Sequence, residues 1–140
     1  MTFTETRRIL THRGAMAMLE AAVAAAENMG QPQCVVIVDA AGDVLAEIRM
    51  TGAKFLSRRS ALAKALTAAS TGGPSSGVPE SVRPAIAAAT DGAVTGLPGG
   101  LPIRFSGDLV GGIGVGSGAG DQDIAVANAA LAAVGADPVE

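Results

Sequence analysis

LPGGLPIRFSGDLVGGIGVGSGAGDQD, residues 97–123, carries a strand hairpin between two glycine clusters. Ile103 to Phe105 and Leu109 to Val115 are rich in branched and apolar residues, and Ser106-Gly107-Asp108 between them has the composition of a hairpin turn. Two glycine clusters flank this hairpin, Gly99-Gly100 before it and Gly116 to Gly120 after it. Glycine lets another group approach the main chain closely. The run therefore reads as one wall of a ligand site, with backbone N–H groups at Gly99-Gly100 free to meet an anion. The second cluster steers the last strand into a closing helix that begins at Asp123.

Working outward, the chain has 140 residues, of which 49% are hydrophobic, enough for one compact domain over residues 1–140 with a sizeable core. The apolar side chains are mostly Ala, Val, Ile and Leu, with three Phe and no Trp or Tyr, so the elements pack closely. The formal net charge is −3 and no basic stripe appears, which argues against a nucleic-acid partner. No apolar stretch reads as a membrane span or a secretory leader, and the expected location is the cytoplasm. The single cysteine, Cys34, sits in an apolar run and reads as a reduced core residue.

Residues 6–29 read as a long amphipathic helix capped by Thr4 or Thr6, with Met16, Leu19, Val23 and Ala26 as its buried stripe. Residues 34–38 are a buried strand, Gly42 turns the chain, and residues 44–50 return as its hairpin partner. Helices are expected at 56–70, 81–89 and 123–134, with a flexible loop at 71–77 and Pro84 in the first turn of the third. Short strands at 94–97, 103–105 and 109–115 complete the set, and the tail from Gly135 to Glu140 is expected to fray. Hairpin-linked strands with helices between them predict an α+β protein with a mostly antiparallel sheet covered by helices.

The spacing of His, Cys, Asp and Glu specifies no metal site, and no nucleophile elbow is present. His12 stands among polar neighbours on the first helix, as a solvated residue or an axial ligand. The candidate chemistry is dispersed over Asp39, Arg49, Lys64 and the backbone at Gly99-Gly100 and Gly116-Ser117. Lys64 interrupts an apolar helical stretch, so it either snorkels to water or faces a polar pocket. An arginine such as Arg49 orients a carboxylate, and backbone amides hold an oxyanion.

Four segments in this order, VVIVDAAGDVLAEIRMTGA (35–53), SALAKALTAAS (60–70), LPGGLPIRFSGDLVGGIGV (97–115) and DQDIAVANAAL (121–131), resemble the GlcG/HbpS-like family, which includes the C-terminal domain of PduO-type proteins. The likeness runs from about Thr6 to Val134. It implies a profilin-like α/β sandwich with a five-stranded antiparallel sheet, homo-oligomers built from dimers up to octamers, and haem or a corrinoid as ligand. The family's recurring polar positions fall on Asp39, Arg49, Lys64, the turn Gly99-Gly100-Leu101-Pro102 and Asp123, with Ser117 one place later than in relatives. Asp43 stands where relatives often carry His. One His and no Tyr furnish a haem pocket sparsely, which points towards a smaller polar ligand.

Two functions follow. The first is a small-ligand-binding oligomer, with haem or another tetrapyrrole implied by the resemblance. The second is a cofactor-independent lyase or isomerase acting on a small oxygenated carboxylic acid. There Lys64 is the general acid or base, Arg49 binds carboxylate, Asp39 orients or exchanges a proton, and the Gly99 and Gly100 amides stabilise enolate charge. Leu101, Pro102, Ser117 and Asp123 complete the expected ligand-binding set.

Overall fold

A computed structural model describes residues 1–139. Helix α1 (His12–Asn28) leads into the hairpin of β1 (Cys34–Asp39) and β2 (Val44–Arg49). Helix α2 (Ser57–Thr71), two short 3-10 turns and α3 (Arg83–Ala89) follow, then the hairpin of β3 (Gly100–Phe105) and β4 (Asp108–Gly116), and finally α4 (Gly120–Ala133). The strands form one antiparallel sheet in the order β2-β1-β4-β3. Pro102 sits on the edge strand β3, where a missing N–H is tolerated.

The sheet has four strands, not the expected five. Residues 94–97 make no ladder, because side chains from elsewhere satisfy their backbone. The Thr95 amide donates to Thr67 Oγ1 (3.0 Å), the Val94 amide to Thr90 Oγ1 (3.1 Å), and Ser75 Oγ donates to the Leu97 carbonyl (2.6 Å). Helix α1 starts six residues later than its pattern suggests. Thr11, rather than Thr4 or Thr6, caps it by accepting from the Gly14 amide, and Leu10 just before the cap is buried. The buried stripe of α1 is Ala15, Met18, Ala22 and Ala26; Met16 points outward. Helix α4 begins three residues before Asp123, which places Asp121 and Asp123 in a first turn whose dipole favours them.

Strand alternation divides the core. Val35 and Ile37 face α1 and α4, and Cys34, Val36 and Val38 face α2. Residues 135–139 are docked rather than frayed, and Glu140 lies outside the described residues. The Asp137 amide donates to the Arg104 carbonyl, and the Asp137 carboxylate accepts from the amides of Ser106 and Gly107, both held at positive φ in the β3–β4 turn.

The contact that sets the layer spacing is α2 against β4. Gly112, Gly114 and Gly116 alternate along β4 on the face towards α2. A Cβ at 114 would overlap the Ala61 carbonyl oxygen and lie 2.6 Å from the Ala65 nitrogen, and one at 112 would lie 2.9 Å from the Ala69 nitrogen. Here the glycines admit a helix rather than a ligand. Gly114→Ala is expected to destabilise the fold by about 3 kcal/mol, the upper range for forcing one carbon into a closed core, as read from the urea midpoint; a change below about 0.5 kcal/mol would show that the helix lifts freely.

Candidate functional site

Lys64, with Asp123, is one of two buried charged residues in the predicted set. It is 5% exposed; its Nζ donates to the Val115 carbonyl (2.8 Å) and pairs with Asp123 Oδ2 (3.1 Å). The other Asp123 oxygen accepts from the Gly118 amide, which is also held by Gln33 Oε1. One buried ion pair thus ties α2, the end of β4 and the first turn of α4. Gly99 belongs to this cluster by close approach: a Cβ there would lie 2.6 Å from the Val115 oxygen and 3.2 Å from Lys64 Nζ. Its φ of 119° independently favours glycine. Gln33 is fully buried and its Nε2 has no partner among the described residues.

The remaining predicted residues do not join this cluster. The Gly100 amide, expected to face an oxyanion, donates instead to Ser75 Oγ (2.9 Å), and Leu101 is part of the core. Pro102 is buried on β3 and borders a groove lined by Gly72, Pro74 and Arg104. Asp39 Oδ1 accepts from the Ala41 and Asp43 amides and so closes the β1–β2 turn. Arg49 pairs in register with Cys34, at the other end of β1. Five residues of strand separate Asp39 from Cys34, about 17 Å, so Asp39 and Arg49 cannot hold one small ligand. Ser117 adopts φ 99°, a strained value for a residue with a Cβ. Its Oγ accepts from the Lys54 amide (3.0 Å) and its carbonyl from the Lys54 and Gln31 side chains, contacts that hold the loop before α2 against the end of β4.

Two grooves flank the β1–β2 hairpin. One, with a cavity volume of about 720 Å³, lies at the Asp39 end beneath the N-terminal segment and includes Arg7, Arg8, Leu45 and Asp108. The other, of about 600 Å³, lies between β2 and the start of α2 at the Arg49 end. Arg58 and Arg59, adjacent at the start of α2 and outside the predicted site set, line this second groove with Phe55 and Leu56. Cys34 lies under it with no exposed surface, and burial pushes its thiol pKa up, while the charges of Arg49 and Arg58 pull it partly back. Among the described residues no group of three or more His, Cys, Asp and Glu side chains could hold a metal, and no helix is long and apolar enough to cross a membrane.

A four-stranded antiparallel sheet between helical layers, locked by a buried Lys-Asp pair, defines a small α+β sandwich protein. The model of haem-degrading HbpS-like proteins matches residues 10–132, and the chain belongs to this HbpS-like family. It is 35% identical to Streptomyces reticuli HbpS, solved as a double Glu-to-Asp mutant, with a TM-score of 0.82 over 92% of this chain and 89% of that one. It is 28% identical to PduOC, solved as a haem complex, with a TM-score of 0.87 over 95% of this chain and all of that one. Klebsiella pneumoniae ORFY, of family DUF336, is 25% identical, with a TM-score of 0.91 over 99% of both chains. A comparison with curated proteins found no match.

Two outcomes test this geometry. Lys64→Met is expected to cost about 3 kcal/mol, because it leaves Asp123 charged and buried. Adding Asp123→Asn is expected to recover part of that loss, measured as a double-mutant cycle of unfolding free energies; strict additivity would mean that the pair is not coupled. Cys34 in the native protein is expected to resist iodoacetamide at pH 8 and to be alkylated in urea. Equal rates in the two states would show that it is accessible.

Proposed function

We propose that this chain binds haem as a homo-oligomer, with His12 as the iron ligand. The observation that carries the reading is the face of α1 on which His12 stands. His12, Met16, Leu19 and Val23 follow one another at four-, three- and four-residue steps, so they share one side of the helix. His12 is exposed, Met16 is 56% exposed, and Ile9 just before the helix is 77% exposed. An imidazole beside a thioether and branched apolar side chains suits the donor and apolar surface that haem needs. Arg13 adds a cation for a propionate. These residues fit one side of the group. The surface is open on its other side, which a second copy of the chain would close. Bound there, haem supplies a redox-active iron; the chain's part is to ligate it, cover it and exclude water.

The solved haem complex of PduOC supports the same ligand here. A corrinoid would call on the same imidazole. A reducing compartment such as the cytoplasm suits a chain whose one cysteine is free and buried. The lyase or isomerase alternative has weaker support. The Lys64 ammonium is closed in by Val115 and Asp123, and Asp39 and Arg49 lie at opposite ends of β1. Titration with haemin is expected to give a saturable Soret shift, and His12→Ala to weaken binding at least about tenfold, roughly 1.4 kcal/mol. An unchanged spectrum and affinity in that variant would remove His12 from the reading.

A further inference from the structure

We propose that the groove between β2 and α2 is a second binding site, for a small amphipathic carboxylate. Its cavity volume of about 600 Å³ lies within the range of small-molecule sites. Its polar rim is unbalanced: Arg49, Arg58 and Arg59 line it against the single carboxylate of Glu47. Glu47 is paired with Arg58, and neither Arg49 nor Arg59 has an ion-pair partner among the described residues. The positions follow from the fold. Glu47 and Arg49 lie opposite Val36 and Cys34 in register, and those two pack on α2, so both charges stand on the α2 face of an edge strand. Arg58 and Leu62 are one helical turn apart on α2.

The rest of the groove is apolar. Val36 forms its floor and Leu62 one side, and Phe55 and Leu56 are 68% and 58% exposed at its mouth. Two unpaired guanidiniums above an apolar trough match a carboxylate head, by paired N–H···O bonds, and a short hydrocarbon body. The site is separate from the proposed haem seat, because α1 covers the opposite face of the sheet. It also gives Arg49 a carboxylate-binding role without Lys64.

Sodium decanoate, kept below its micellar concentration, tests this by isothermal titration of the full chain. Saturable one-to-one binding is expected, with decanol at least about tenfold weaker. Arg49→Gln and Arg59→Gln are each expected to weaken decanoate binding about five- to tenfold. Glu47→Gln is expected to tighten it, because it removes the opposing charge and releases Arg58. These side chains are exposed, so the variants are expected to keep the circular dichroism and urea midpoint of the parent. His12→Ala should leave decanoate binding unchanged, which separates this site from the haem reading. No binding of decanoate by the folded parent, equal affinity for decanol, or insensitivity to both arginine variants would overturn the proposal. So would retention on anionic vesicles without binding of the free acid, since a lipid surface would then be the ligand.

Discussion

Everything in this fold depends on how closely α2 lies on β4. Helices normally sit on a sheet through a layer of side chains on both sides. Here alternate residues of β4 have no side chain on the α2 face, and α2 answers with Ala61, Ala65 and Ala69. Backbone and methyl groups meet with almost no intervening volume. The chain's preference for alanine and glycine over aromatic residues is the compositional side of this contact. Close packing of small groups recovers dispersion that a larger, looser core would obtain from bulk.

That approach brings a lysine on α2 within reach of the end of β4. Lys64 could not pair with Asp123 across a thicker layer. The pair is costly to desolvate and contributes little net stability by itself, but it is costly to break. It fixes the helix against the strand terminus and the first turn of α4 together, and Gly99 is the residue small enough to pass it. The two faces that carry unmatched chemistry, the His12 side of α1 and the arginine groove beside β2, both lie away from this lock.

Much of the site was legible, but not its grouping. A lysine inside an apolar helical run and an aspartate at a helix start both stand out along the chain. Their pairing does not, since 59 residues separate them. Asp39 is a candidate acid along the chain, but its carboxylate completes the β1–β2 turn. Arg49 and Asp39 appear adjacent because a hairpin folds back on itself, yet the register puts them at opposite ends. The arginine groove is not legible along the chain, because Arg49 and Arg58 come from different elements and meet only across the edge of the sheet.

The sequence carries the α+β class, the two hairpins, the order of the helices and the family, because these rest on local periodicity, turn residues and ordered motifs. It also marked residues 97–123 as decisive. What those glycines do depends on contacts between distant elements. A missing Cβ makes room for any close neighbour, ligand or helix alike, and the sequence does not say which neighbour arrives. The same holds for residues 94–97, whose β-branched pattern suits a strand but whose hydrogen bonds go to Thr67 and Ser75. Partners contributed from distant positions, not local preference, settled both cases.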